Sequence, residues 1–210
     1  QPLVEESVKL WPAGSKERAM VLYNLGKIHL DLQEDARAEE VLGLAVEQLV
    51  GEATVWHALG QAQVGRGRRE RAEESYQRAL SLAKGPTRAT VLSDLADLMA
   101  AKREFAKAAE LWRDAIAQAA PGQARARMMA NLGSLQWSWR EKDQAAAQFR
   151  AALAEMEAAV GPAHPDVAKI LEAYQEVLRK TGKKAEAVAA GERASAIRSS
   201  FGPQTGDRRE

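Results

Sequence analysis

The stretch "ATVWHALG" (residues 53–60) decides the fold, because it places a glycine inside an otherwise helical pattern. Glycine in a helix interior costs roughly 1 kcal/mol relative to alanine. A helix that keeps Gly60 directly after Leu59, and four residues after Trp56, is expected to pack so closely against another element that no side chain fits at that point.

The same arrangement recurs along the chain. Residues 21–26 ("VLYNLG") and 128–133 ("MMANLG") repeat the Leu-Gly pair, residues 91–96 ("VLSDLA") carry Leu-Ala, and residues 170–175 ("ILEAYQ") form a weaker copy. The register positions are therefore 25, 59, 95, 132 and 174, at spacings of 34, 36, 37 and 42 residues. A nearly constant period in this range indicates a stack of similar structural repeats.

The second half of each repeat supports this register. Alanine stands 13 and 20 residues after every register position, as Ala38, Ala72, Ala108, Ala145 and Ala187 and as Ala45, Ala79, Ala115, Ala152 and Ala194. Seventeen residues after the register positions stand Leu42, Tyr76, Trp112, Phe149 and Gly191, of which four are bulky. Small and large side chains thus alternate at helical spacing. This alternation predicts two closely packed antiparallel helices with one large side chain filling the gap between them.

The pattern W-x2-L-G…A-x3-F-x2-A, seen here as "WHALG…AEESYQRA" (56–79), resembles the tetratricopeptide repeat over roughly residues 17–198. The last repeat, with "HPDVAKILEAY" and "RKTGKKAEA", resembles the longer type found in kinesin light chains. It departs from the pattern in having Tyr174-Gln175 for Leu-Gly, and Gly191 for the bulky residue. The resemblance implies an all-α, right-handed superhelical solenoid of about five helix pairs.

The positions of turn residues predict the helix boundaries. Helices are expected at 16–32, 35–49, 53–66, 69–84, 87–102, 105–120, 123–140, 142–160, 165–181 and 184–199. Ser15 is the expected N-cap of the first of these, and Pro165 suits the first turn of its helix. The repeat domain would span 15–199. We expect an N-terminal helix within 1–14, which would be half of a truncated repeat, and a disordered tail at 200–210.

The composition narrows the classes of partner. The net charge of +1 and the isoelectric point of about 8.2 are too balanced to indicate nucleic acid or an anionic membrane. Cysteine is absent, which fits a reducing or an oxidising compartment, and no apolar run approaches the roughly 18 residues that span a bilayer. No signal peptide is visible, and because the chain starts at Gln1 without Met, we expect an excised or processed piece of a longer protein. The cytoplasm is favoured, with the periplasm or secretion open if a signal was removed.

No pattern predicts a catalytic, cofactor or metal site. His29, His57 and His164 belong to no ligand-spaced cluster, and neither a nucleophile elbow nor a phosphate-binding loop occurs. The chain is therefore predicted to be neither an enzyme nor a cofactor-binding protein.

Two charged features are expected to be ordinary surface. The adjacent glutamates at 39–40 and 73–74 point about 100° apart on a helix, which favours a solvated face over acid/base catalysis. The segment "GRGRRER" (65–71) is expected to be a solvated turn, with contact to a phosphate or an acidic partner as the alternative.

In the family that the chain resembles, the first helix of each pair lines a concave groove that carries peptide partners. The corresponding positions lie one residue before, two after and five after each register position. The predicted partner-binding residues on or beside this face are Tyr23, Asn24, Lys27, His57, Gln61, Asp94, Asp97, Asn131, Ser134, Trp137, Glu176 and Arg179. They do not reproduce the Lys, Arg and Asn cluster that holds acidic chaperone tails, which argues against that ligand.

The sequence therefore predicts a non-catalytic scaffold that binds a peptide or helix of a partner protein. A regulatory or sensor domain of a larger protein is one alternative, and self-assembly through the open ends of the stack, giving a homo-oligomer, is another. Trp137 has two interpretations: a binding hot spot exposed in the groove, or a core residue packed on the next repeat near Ala168 or Leu171.

Overall fold

The structure, a computed structural model, describes residues 10–201, and within that range it is all-helical. The chain divides into two compact units, the first ending at Gln118 and the second beginning at Ala119. The first unit contains α1 (Lys16–Asp31), α2 (Asp35–Gln48), α3 (Ala53–Gly65), α4 (Arg69–Leu82), α5 (Gly85–Ala101) and α6 (Phe105–Gln118). The second contains α7 (Gln123–Ser138), α8 (Lys142–Val160), α9 (Pro165–Lys180) and α10 (Lys184–Phe201).

The ten helices predicted between 16 and 199 are present, and their ends differ from the prediction by at most two residues. The predicted cap is also present, because the Arg18 backbone N–H donates to Ser15 Oγ at 3.2 Å. Pro165 is the first residue of α9, as predicted. The predicted N-terminal helix and tail fall largely outside the described residues, although α10 continues to Phe201, into the predicted tail.

Within each unit the helices pack as antiparallel pairs. In the first unit α1 packs on α2, α3 on α4 and α5 on α6, while α2 also contacts α3 and α4 contacts α5. In the second unit α7 packs on α8 and α9 on α10, with α8 against α9. All ten alanines of the repeat pattern are buried, as are the five register residues. The predicted fold of about five helix pairs is therefore confirmed.

The glycines of the pattern mark close contacts between paired helices, as the sequence predicts. A Cβ atom at Gly60 would lie 2.5 Å from Cε1 of the Tyr76 ring, and one at Gly26 would overlap the Leu42 side chain. At Gly133 the contact is looser, since the nearest atoms of Phe149 would be 3.3 Å away. The side chain that glycine gives up is thus replaced by a large one from the partner helix.

The turn inside each pair has one geometry in all five repeats. The residue eight positions after the register residue has a positive φ: Gln33 (59°), Gly67 (71°), Arg103 (64°), Arg140 (64°) and Gly182 (82°). The next backbone N–H then donates to the carbonyl five residues earlier, for example Arg68 to Gln63 at 2.8 Å. This is the hydrogen bond of a Schellman motif, which ends a helix with one left-handed residue.

Ion pairs join consecutive helix pairs in the first unit, and they correct two predictions. Glu39 is 9% exposed, and its two carboxylate oxygens bond Arg66 Nη1 at 2.8 Å and Arg68 Nη1 at 2.7 Å. Glu73 bonds Lys102 Nζ at 2.5 Å. The predicted solvated face is therefore wrong for Glu39 and Glu73. The 65–71 segment is exposed, as predicted, but stacking of the repeats brings Glu39 within reach of two of its arginines, Arg66 and Arg68.

Candidate functional site

The first helices of consecutive pairs lie next to each other within each unit, α1 beside α3, α3 beside α5, and α7 beside α9. The sequence placed all the predicted partner-binding residues on these helices. The structure leaves an open pocket between α3 and α5 and another between α7 and α9, and five of the predicted residues line them.

The pocket between α3 and α5 has a volume of about 380 Å³. Gln61 on α3 and Asp94 and Asp97 on α5 contribute polar side chains, as predicted. Its other walls are Val64, Leu98 and Ala101, with Tyr76 of α4 as the buried floor. Gly67 and Arg69 close the end at the α3–α4 turn.

A hydrogen-bonded cluster holds one side of this pocket in place. His57 Nε2 lies 2.7 Å from Asp94 Oδ2, and Gln61 Nε2 donates to the same oxygen at 3.0 Å. The His57 ring also lies beside the Tyr76 ring, with the centroids 5.8 Å apart. Three predicted residues are therefore joined by bonds that link two consecutive repeats, and a fourth, Asp97, lines the same pocket.

The charge of this cluster reaches the floor of the pocket. Burial, and after it the negative charges of Asp94 and Asp97, raise the pKa of the Tyr76 hydroxyl well above its ordinary value. The carboxylates of Asp94 and Asp97 therefore act on the floor of the pocket, where they disfavour a second negative charge.

Three predicted residues on α1 line neither of these two pockets. Tyr23 is half-buried and packs against the hydrophobic clusters of the first two helix pairs. Lys27 Nζ lies 5.9 Å from the centroid of the Tyr23 ring, and both Lys27 and Asn24 are exposed. Tyr23 is therefore mainly a packing residue, with Asn24 and Lys27 at the surface beside it.

The pocket between α7 and α9 has a volume of about 260 Å³ and includes the predicted Asn131 and Ser134. It also contains three charged residues that the sequence analysis missed: Arg127, Asp166 and Lys169. Arg127 and Lys169 stand five residues before their register positions. That is one helical turn before the nearest predicted position, so helical spacing could have found both.

Hydrogen bonds define the charge state of this second pocket. Lys169 Nζ bonds Asp166 Oδ1 at 2.8 Å, and Gln123 Nε2 donates to Asp166 Oδ2 at 2.6 Å. The bond from Lys169 has the larger effect and the bond from Gln123 the next, and together they hold the pKa of Asp166 below its ordinary value. Its floor is Phe149 and Met156, both fully buried, so it too combines a polar rim with an apolar base.

The last three predicted residues lie elsewhere. Glu176 and Arg179 pair with each other on α9, with Arg179 Nη2 2.7 Å from Glu176 Oε2, and neither lines the pocket. Trp137 is half-buried and packs against the hydrophobic cluster of the second unit, which contains Ala168 and Leu171.

Residues 10–201 offer neither a metal centre nor a membrane-spanning helix. No group of three or more His, Asp or Glu side chains in that range could hold a metal ion. None of the helices described there is both long enough and apolar enough to cross a bilayer.

Comparison with known proteins identifies the repeats. Residues 55–90 and residues 125–166 each match a family model described as a tetratricopeptide repeat. No curated protein sequence matches the chain.

Several solved structures are similar over most of the chain. BtubC (BKLC) from P. vanneervenii has a TM-score of 0.77 at 22% identity, covering 92% of this chain and 84% of its own. A putative kinesin light chain from Podosopora anserina, with nearly identical TPR-like repeats, has a TM-score of 0.72 at 16% identity, covering 90% and 98%. YrrB, described as a TPR protein with an unusual peptide-binding site, has a TM-score of 0.63 at 16% identity, covering 92% and 91%. At these identities the likeness shows a shared fold.

Proposed function

This chain is a tetratricopeptide repeat protein, and we propose that it is a non-catalytic scaffold that binds a peptide or helix of a partner protein in the grooves between its first helices. Its repeats support a protein-interaction role in general. The peptide-binding site in the description of the similar YrrB structure favours the finer proposal, by analogy of fold.

The observation that carries the proposal is the form of the two pockets. Each lies between first helices, is open to solvent, and has a floor of buried large side chains under a rim of polar ones. A recognition groove for a peptide needs this combination, because apolar contacts supply affinity while a few placed polar groups set orientation. Volumes of about 380 and 260 Å³ suit individual side chains of a bound segment.

In the experiment, peptides that bind the intact protein are first selected from a random display library. The Kd of synthetic copies of these peptides is then measured. Gln61→Arg extends a long side chain into the first pocket, and Ser134→Arg does so in the second. Gln77→Arg on α4 and Ala147→Arg on α8 are matched controls, because both residues are exposed and line neither pocket.

We expect at least one groove variant to weaken binding tenfold or more while both controls bind like the parent. Equal binding by all four variants would contradict the proposal, as would failure to select any peptide. Light scattering across a concentration series separates this function from self-assembly, which would raise the mass of the particle with concentration.

A further inference from the structure

The pocket between α3 and α5 differs from an ordinary apolar groove in the way its polar groups are distributed. Asp94 and Asp97 lie on α5, and Gln61 of the neighbouring α3 bonds to Asp94. Ala101 lies further along α5. Seven residues separate Asp94 from Ala101, which corresponds to about 10 Å of helix. The lining of the pocket therefore extends along α5, where Asp94 and Asp97 contribute carboxylates and Leu98 and Ala101, together with Val64 of α3, contribute apolar surface.

We propose that this pocket receives a lysine or arginine side chain of the bound segment. The aliphatic stem would lie against Val64 and Leu98, and the cationic head would meet the carboxylate of Asp94, with Asp97 adjacent. The inference rests on the proposed function, because it names the chemistry of the segment that the groove binds.

The geometry of Asp94 supports a charged ligand. His57 and Gln61 both bond its Oδ2, whereas Oδ1 accepts no hydrogen bond from residues 10–201. The carboxylate is thus held in a fixed orientation with one oxygen still available to an incoming donor. A preorganised acceptor of this kind loses little conformational entropy on binding, which favours affinity.

The electrostatics of the pocket point the same way. The carboxylates of Asp94 and Asp97 contribute to the raised pKa of Tyr76, so their potential extends to the floor. Arg69 lies at the far end, beside the α3–α4 turn, and would repel a cation placed there. A cationic head is therefore directed toward the α5 carboxylates.

An apolar or acidic occupant fits less well. An apolar side chain would bury Asp94 without a partner for its remaining oxygen, and desolvation of an unpaired carboxylate is costly. An acidic side chain would add repulsion from both aspartates. Lysine and arginine alone combine a long apolar stem with a positive head.

The test uses the peptides selected on the intact protein, as synthetic copies. Each lysine or arginine is replaced in turn by glutamine, which removes the charge, and by methionine, which keeps an apolar stem. Binding is measured with the wild type and with Asp94→Asn/Asp97→Asn, whose asparagine at 94 can still accept the bonds from His57 and Gln61. The matched control is Glu110→Gln/Asp114→Asn, which makes the same charge change at exposed positions of α6.

We expect the selected peptides to be enriched in lysine or arginine, and one such residue to contribute about tenfold to Kd in the wild type and in the control. In the Asp94→Asn/Asp97→Asn variant that contribution should fall to about twofold or less. Peptides without basic enrichment, or equally tight binding after methionine replacement at every basic position in turn, would overturn the inference. The proposed function would still stand in that case if the Gln61→Arg variant weakened binding of the selected peptides. Failure to select any peptide on the intact protein would overturn both the inference and the proposed function.

Discussion

The side chain of Gln175 on α9 fills the space that a side chain at Gly191 on α10 would need. In the second helix pair the arrangement is the opposite, because Gly60 is on the first helix and Tyr76 is on the second. The departure of the last repeat from the sequence pattern is therefore an exchange of large and small residues between paired helices. The close contact that the pattern encodes is kept.

This exchange predicts opposite effects of alanine at two glycines. At Gly60 the added methyl group would lie 2.5 Å from a buried aromatic ring, which cannot move aside cheaply. Gly60→Ala should therefore lower the free energy of unfolding by about 1–2 kcal/mol despite its better helix propensity. At Gly191 the obstacle is the flexible end of Gln175, so Gly191→Ala should be neutral or stabilising by up to about 1 kcal/mol. Urea denaturation of both variants measures the difference, and equal effects would contradict the exchange.

The shared turn geometry predicts a second pair of opposite effects. Gly67 and Arg103 occupy equivalent left-handed positions, with φ of 71° and 64°. Gly67→Ala should destabilise by about 1 kcal/mol, because a Cβ atom disfavours that conformation. Arg103→Gly should be neutral or slightly stabilising, since relief of strain offsets the greater entropy of the unfolded chain. Thermal melts of both variants test this. A marked loss of stability in Arg103→Gly would show that its side chain contributes more than its backbone costs.

The ion pairs of Glu73 predict how stability depends on pH. Hydrogen bonds, from Lys102 first and then Lys107, hold the pKa of Glu73 below its ordinary value. Such a group stabilises the folded state above its unfolded pKa, and the effect is lost as the pH falls through the folded pKa. Glu73→Gln should therefore lower stability at pH 6 by up to about 1 kcal/mol, and this loss should become smaller as the pH is lowered toward 3.

The control for this prediction is Glu74→Gln, at the exposed neighbouring position, which should change stability little at either pH. A Glu73→Gln effect that stayed constant between pH 6 and pH 3 would show that the ion pairs are not its cause.

Trp137 allows the two interpretations of its role to be separated. It packs against the cluster that contains Ala168 and Leu171 while remaining half-exposed. Trp137→Ala should therefore lower the free energy of unfolding by about 2 kcal/mol, less than the roughly 3–5 kcal/mol for a fully buried tryptophan. Calorimetry measures this loss, with exposed Ser138→Ala as the control. An unchanged melting temperature together with a large loss of peptide affinity would instead favour the hot-spot interpretation.

The sequence by itself determined the helix pairs, their boundaries and the residues in contact between paired helices. This was possible because each repeat packs mainly on its own partner helix and its neighbours, so fixed offsets such as Gly60 and Tyr76 recur. The left-handed turn residue was not found in this way. Three of its five occurrences, Gln33, Arg103 and Arg140, are not glycine, and their conformation is imposed by the ends of two packed helices.

Only the tertiary structure decided how side chains of different repeats meet. Glu39 reaches Arg66 across 27 residues of sequence, and His57 reaches Asp94 across 37. Long side chains can adopt several rotamers on a helix surface, and helical periodicity gives the face of each residue but not its rotamer. The angle and distance between neighbouring helix pairs determine which side chain of the next repeat each of these residues contacts. For this reason the sequence located Asp94 on the groove face, whereas its bonds to His57 and Gln61 appeared only when the pairs were stacked.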